Sequence, residues 1–184
     1  MYGQSSLRIQ HINYFNHVLE LFKPYLSKDF KLKKKSFVDK RNNNNYSSVN
    51  FATYSLPCFN YYKNLFYNSD GLKIVPSNIQ DLFTPAWGRS LAYWIMDDGS
   101  LQNKGLHLNT YGFTNQDVLK LKNILENMFG ENILKCTILK HKKGERIYIW
   151  GESMDVIRHN ISKFMHKNML YKINSDNLKL YNFM

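Results

Sequence analysis

The sequence predicts an α+β chain built from two pseudo-symmetric repeats. Three observations carry that prediction: an order of strand, helix, two strands, helix and basic tail that occurs twice, a strongly positive charge, and one apolar helix that ends in two carboxylates. At 184 residues and 43% hydrophobic content, the chain can form one domain or two fused repeats around a real core. A net charge of +11 and a pI near 9.5 point to an anionic partner, nucleic acid first. No run of about 18 apolar residues occurs, and the N-terminus lacks the pattern of a signal peptide, so no membrane partner is expected.

In the first half, Leu7, Arg8, Ile9 and Gln10 alternate in the manner of a strand, with Arg8 and Gln10 on its polar face. Ile12, Phe15, Val18, Leu19 and Phe22 then recur at helical spacing up to Pro24. Residues 30–33 and 49–54 read as strands. Between them lies a polar connection from Lys33-Lys34-Lys35 to Asn42-Asn43-Asn44-Asn45, either a solvated loop or one that tracks phosphates. Phe59, Tyr62, Leu65 and Phe66 place a second helix over residues 57–67, and a turn at Asn68-Ser69-Asp70-Gly71 leads to Leu72-Lys73-Ile74-Val75-Pro76.

The helix that follows organises the chain. Thr84 is the expected N-cap, Pro85 suits the first helical position, and Gly99 is expected to end the helix in the left-handed conformation. That gives about 13 residues and a length of roughly 20 Å. Asp97 and Asp98 stand at its C-terminus, where the helix dipole disfavours negative charge unless a cation compensates, which directs attention to a metal. The repeat then returns as a strand over 105–111, a helix over 115–129, strands over 133–139 and 146–150 around a basic hairpin turn at 140–145, and a helix over 153–165. The two tails share Leu72-Lys73-Ile74 and Tyr171-Lys172-Ile173. The expected boundary divides 1–80, which has no counterpart of the motif helix, from 81–184. Cys58 and Cys136 lie outside any metal-ligand spacing and read as reduced core thiols. The abundance of Tyr, Phe, Asn, Lys and Ile is that of an AT-rich genome such as a mitochondrial one.

The string Leu91-Ala92-Tyr93-Trp94-Ile95-Met96-Asp97-Asp98-Gly99, with its flanks Lys73-Ile74-Val75-Pro76 and Leu82-Phe83-Thr84-Pro85 and the downstream Leu108-Asn109-Thr110 and Met169-Leu170-Tyr171-Lys172, resembles the LAGLIDADG homing endonucleases and intron maturases. The similarity spans roughly residues 7 to 174. It implies two repeats whose antiparallel sheets form a saddle against the major groove of double-stranded DNA. It implies Asp98 as the metal-ligating acid, with Asp97 beside it, magnesium as cofactor, and Lys73 and Lys172 as active-site lysines. On the saddle it implies nucleic-acid contacts from Arg8, Gln10, Lys31, Lys33, Asn50, Thr53, His107, Asn109, Lys135, Thr137, Lys140 and Arg146. The runs containing Lys33, Lys34 and Lys35 and Lys140, Lys142 and Lys143 are expected to meet phosphates at the tips.

Such enzymes cut both strands with two acids, whereas Tyr2-Gly3-Gln4-Ser5 stands where a first motif would end and offers none. Three readings therefore stay open: an endonuclease completed by an upstream segment, a maturase or degenerate relative that binds intron RNA, and a structural component of a mitochondrial RNA–protein assembly such as a ribosome. Of the isolated chain, weak nicking at most is expected.

Overall fold

The computed structural model describes residues 4–8, 11–40, 43–130 and 132–174, and the chain forms two compact units, one up to Tyr61 and one from Tyr62 on. The first unit contains β1 (Gln4–Arg8), α1 (Ile12–Phe22), β2 (Lys33–Asp39) and β3 (Asn44–Ala52), and α2 (Cys58–Phe66) begins in it. Its sheet has the order β1-β3-β2 with antiparallel neighbours. Val49 and Phe51 point to one side of β3 and are buried with Phe15 of α1, whose ring meets Phe51 edge-on at 5.6 Å. The apolar stripe of α1 thus covers one face of the sheet, as the spacing of Ile12, Phe15, Val18 and Leu19 requires.

Three expectations change here. The first strand starts at Gln4 and is described to Arg8, and Ile9 and Gln10 lie outside the described residues. The polar connection is a β-hairpin: Ser36-Phe37-Val38 carries β2 past the lysines, and Asn43 takes a left-handed φ of 56° at the turn. Cys58 is exposed, because it opens α2, none of whose residues is buried.

The second unit adds α3 (Ile79–Phe83), α4 (Trp87–Asp98), β4 (Gly99–Gln102), β5 (Gly105–Asn109), α5 (Asn115–Phe129), β6 (Cys136–His141), β7 (Gly144–Ile149) and α6 (Met154–Ile161). Its sheet runs β4-β5-β7-β6, so β5-β7-β6 repeats the arrangement β1-β3-β2 of the first unit. The α+β expectation holds, and the repeat read from the sequence has the same strand order in both units. The added edge strand β4 escaped the sequence because Gly99-Ser100-Leu101-Gln102 is too short to show alternation.

Leu106, Leu108, Ile147 and Ile149 line the inner face of this sheet, and Val118, Leu121 and Leu125 of α5 and Ile157 and Ile161 of α6 are buried with them in the unit's core. On α4 the buried residues are Gly88, Leu91, Ala92, Ile95 and Met96, a stripe at helical spacing that seals the motif helix into that core. Each fully buried Leu or Ile contributes about 1.5–3 kcal/mol. Gly88 permits a close approach, since a Cβ there would stand 2.9 Å from the Phe164 ring.

Both ends of α4 differ from expectation. Thr84 does not cap it: the Thr84 hydroxyl donates to the Gln80 carbonyl at 2.8 Å, a 3-10 turn over Thr84–Ala86 intervenes, and Ala86 precedes the helix. Gly99 is extended rather than left-handed, at φ −77° and ψ 146°, and starts β4 directly. Glycine is needed there for space: a Cβ would lie 2.5 Å from the Ile95 carbonyl oxygen.

The cation that the dipole argument demands is Lys172, the last residue of a 3-10 helix over Lys167–Lys172. It is buried, and its Nζ donates to the Met96 carbonyl at 2.5 Å and, more weakly, to that of Asp97 at 3.4 Å. Met169 and Ile173, both buried, fix it in the core, and Arg158 donates to the Ile173 carbonyl at 2.9 Å. Burial pushes the Lys172 amine below the usual lysine value, while Asp97 and Asp98 draw it back up.

Lys172→Met keeps the apolar stem and strands the Met96 carbonyl, and is expected to cost about 1–3 kcal/mol in denaturant melts. Because burial lowers the wild-type amine's pKa in the folded state, its bonds to the helix end carry a desolvation cost for the charge at neutral pH. The burden lifts as pH rises through that value, so the stability deficit of the variant should widen toward pH 10.

Candidate metal and nucleic-acid site

The site begins with the end of α4. A buried helix delivers Asp97 and Asp98 to the surface, both exposed, with Gly99 buried immediately behind them. Asn109 of β5 donates its side-chain amide to the Asp98 carbonyl at 3.0 Å, so the end of the helix is held from the sheet as well as by Lys172. Lys73 arrives by a third route. The Asn68 side chain accepts the backbone N–H groups of Asp70 and Leu72 at 3.0 and 2.8 Å, Gly71 takes a φ of 74°, and the chain folds back so that Lys73 bridges to Tyr67. Val75, just beyond, is buried and anchors the turn.

These three routes bring Lys73, Asp98 and Lys172 into one electrostatic neighbourhood. Although Asp98 is exposed at the surface, partial desolvation of its carboxyl by the surrounding protein raises it above the usual aspartate value, and Lys73 and Lys172 each oppose that rise. Lys73 is exposed and Lys172 buried, so the two lysines with matching tails in the sequence have unlike surroundings. Among the described residues no group of three His, Cys, Asp or Glu side chains could enclose a metal. The donor set is instead two adjacent exposed carboxylates on a rigid support. That suits magnesium, which keeps several waters and takes one or two protein carboxylates together with phosphate oxygens.

The outer face of the second sheet follows from strand register. His107 pairs with Ser100 and Tyr148, Tyr148 with Thr137, and Asn109 with Arg146, so these residues point to one side, opposite the buried Leu106, Leu108, Ile147 and Ile149. His107, Asn109, Thr137 and Arg146 are thereby brought together. His107 is 5% exposed, lies edge-on to Tyr148 at 5.0 Å, and is pushed below the usual histidine value by burial and then by Arg146, so it is neutral at pH 7. Thr137 accepts the Trp150 indole N–H at 2.7 Å.

Tyr148 and the half-exposed Trp150 belong to this face and were missed in the sequence. The signal was present, since Arg146, Tyr148 and Trp150 share the period of two.

Other residues are dispersed. Lys140 pairs with Glu145 on the register of the inner face, whereas Lys142 and Lys143 form the exposed two-residue turn between β6 and β7. Lys135 precedes β6 and is ion-paired to Glu152 at 2.8 Å. In the first unit, Asn50 pairs with Lys33 and Ser48 with Lys35, on the face opposite Val49 and Phe51, and Ser48 has Arg8 as its backbone register partner in β1. Lys34 pairs with Val49 and so points to the other side. Lys33, Lys34 and Lys35 therefore open a strand and do not form a tip. Lys31 is exposed in the segment before β2, and Thr53 is half-buried just beyond β3. Gln10 lies outside the described residues.

Comparison with known proteins identifies the family and the fold. The profile of the LAGLIDADG DNA endonuclease family matches residues 2–157. A Dictyostelium discoideum protein named intron-encoded endonuclease ai4 is 35% identical over 125 residues, 67% of this chain and 75% of that protein. The Saccharomyces cerevisiae cytochrome b mRNA maturase bI2 is 31% identical over 174 residues, 90% of this chain but 36% of the maturase, so the chain spans about a third of that relative's length. In fold, the chain is similar to the homing endonuclease I-WcaI, solved bound to its DNA recognition sequence, with a TM-score of 0.79 and 24% identity over 93% of this chain and 74% of that one. The chain belongs to the LAGLIDADG DNA endonuclease family.

Proposed function

We propose that this chain is a homing-endonuclease-type protein that binds double-stranded DNA on the outer faces of its sheets and presents Asp98 to a backbone phosphate as the ligand of a hydrolytic magnesium ion. The observation that carries this reading is the convergence of Lys73, Asp98 and Lys172 at the exposed end of a buried helix. Magnesium, when bound, supplies an activated water and offsets charge on the leaving oxygen. The chain's own residues do the rest. Asp98 is the carboxylate, and its pKa is free to fall when a cation arrives. Lys172 and Asn109 fix the backbone behind it, at the Met96 and Asp98 carbonyls. Lys73, exposed on its turn, orients solvent or offsets phosphate charge. Asp97 serves as a neighbouring ligand or as backbone support.

Among the described residues a single helix ends in paired acids, so those residues supply carboxylates for the hydrolysis of one strand. Cutting the second strand requires a carboxylate from a segment outside them or from another chain. A second reading, binding of intron RNA, is favoured by the alignment of an mRNA maturase over 90% of the chain. The relation to a cytochrome b maturase and the AT-rich composition both favour a mitochondrial setting.

A supercoiled plasmid carrying a site selected from a randomised duplex library should be nicked slowly in magnesium, and Asp98→Asn should reduce the rate at least about a hundredfold while binding persists. Efficient double-strand cutting by the 184-residue monomer would refute the single-acid assignment. Since burial raises the Asp98 pKa, its ionised form costs the fold stability at pH 7 and costs nothing below the unfolded value. Asp98→Asn should accordingly raise the melting temperature at pH 7, and the gain should vanish as pH falls through the raised pKa. Replacing Lys142 and Lys143 by Gln should flatten the log affinity against log salt slope by about 2, if each lysine holds one phosphate.

A further inference from the structure

A cleft that the proposed chemistry leaves unused lies between the C-terminal end of α5 and the first residues of β6. Its volume is about 510 Å³, and Asn127, Leu134, Cys136 and Trp150 line it. That size falls within the range of sites that enclose a small ligand. Because β6 is an edge strand, the cleft opens at the border of the sheet, and Trp150 belongs both to it and to the outer face.

The groups around the cleft narrow what it can hold. Glu126 uses both carboxylate oxygens inside the protein, one accepting the Cys136 N–H at 3.2 Å and the other the Lys122 ammonium at 2.7 Å, so it offers nothing to a cation. The Lys135 head is turned to Glu152 at 2.8 Å. Burial pushes the Cys136 thiol up to about 12, so it is neutral and extends the apolar surface of Leu134. What remains is uncharged: an indole, an apolar floor, and the side-chain amides of Asn127 and Asn132, which have no hydrogen-bond partner among the described residues.

The indole is held as a wall. Trp150 is 48% exposed, yet its ring N–H donates to the Thr137 hydroxyl at 2.7 Å and its backbone N–H to the Lys135 carbonyl at 3.0 Å. A ring fixed at both ends loses little further freedom when something stacks on it. A flat aromatic wall, an apolar floor and amides that both donate and accept are the complement of a planar heterocycle with donors and acceptors on its rim. A nucleobase is such a heterocycle, and a net charge of +11 draws nucleic acid to this chain. A paired base cannot enter, since the duplex keeps it stacked and turned inward. Only a base freed from the stack can reach past the edge strand.

We propose that the cleft between α5 and β6 binds one unpaired nucleobase of a nucleic acid lying on the outer face, stacked on Trp150 with Asn127 and Asn132 at its rim. This rests on the reading that the outer face binds nucleic acid, whether DNA or RNA.

The probes are a fully paired RNA duplex and the same duplex carrying one extra, unpaired residue, a fluorescent adenine analogue, together with the DNA versions of both. The wild-type chain is expected to bind the bulged form about 5- to 150-fold tighter than the paired one, the range of a single base–aromatic stack, and to quench the analogue's emission. Trp150→Ala should lose both effects and leave binding to the paired duplex unchanged, and Asn127→Ala should lose part of the preference. Trp150→Leu keeps apolar volume without a stacking face, so it decides the matter if Trp150→Ala fails to fold. A preference seen on RNA, on DNA or on both supports the cleft and identifies the strand that supplies the base. Equal affinity of the wild-type chain for bulged and paired duplexes overturns the assignment, and so does a preference that survives both Trp150 substitutions. A loss in Trp150→Ala that is equal on both duplexes would make Trp150 a contact of the outer face alone and overturn it as well. If the wild-type chain binds neither duplex, the nucleic-acid reading itself falls and the assignment with it.

Discussion

The second unit depends on one interaction, the buried ammonium of Lys172 against the carbonyl end of α4. A helix that closes on two aspartates opposes its own dipole, and solvent alone is a poor remedy when the last turn is sealed by Ile95 and Met96. A lysine delivered from 76 residues downstream supplies the cation. It does so by donating to backbone, so its hydrogen bonds do not consume the Asp98 carboxylate. The compensation therefore stabilises the helix without consuming the groups that make it useful.

The same economy governs the rest of the site. Asn109 holds the Asp98 carbonyl and not its carboxylate, and Asn68 spends its side chain on shaping the turn that presents Lys73. Each partner fixes backbone and leaves a charged head free. This is what a site completed by phosphate oxygens requires, since a carboxylate already satisfied within the protein would have to break a bond before it could bind a hydrated ion. The raised pKa of Asp98 records the same arrangement, a carboxylate partly stripped of water and incompletely repaid by two lysines.

Much of this was legible in the sequence because it rests on periodicity. Period-two and period-3.6 patterns located the paired halves, and the common order β1-β3-β2 and β5-β7-β6 is their physical counterpart. The string ending in Asp97-Asp98-Gly99 located the acids. What could not be read depends on tertiary partners. Thr84 has the chemistry of an N-cap, but its hydroxyl finds the Gln80 carbonyl first. Gly99 reads as a left-handed stop because that is the commonest use of a glycine after a helix, and only the nearness of Ile95 shows that its purpose is clearance. A lysine is expected in water, so nothing local to Lys172 announces its burial. Lys33, Lys34 and Lys35 resemble a loop by charge, yet the β-forming Phe37 and Val38 that follow decide the matter.

The junction at Gly99 also limits how the chain can change length. Helix α4 passes into β4 with no intervening loop, so Asp98 is the last helical residue and the neighbour of the first strand residue. Inserting one residue there would rotate the acid by about 100° around the helix axis or invert the faces of β4, exchanging Ser100 and Gln102 for Leu101. Deletion does the same in the opposite sense. The two-residue turn at Asn103 and Lys104, by contrast, joins the far ends of β4 and β5 and carries no such constraint. Among relatives of this chain, variation in length should therefore gather at that turn, while the step from helix to strand keeps a fixed count of residues even where its side chains have diverged.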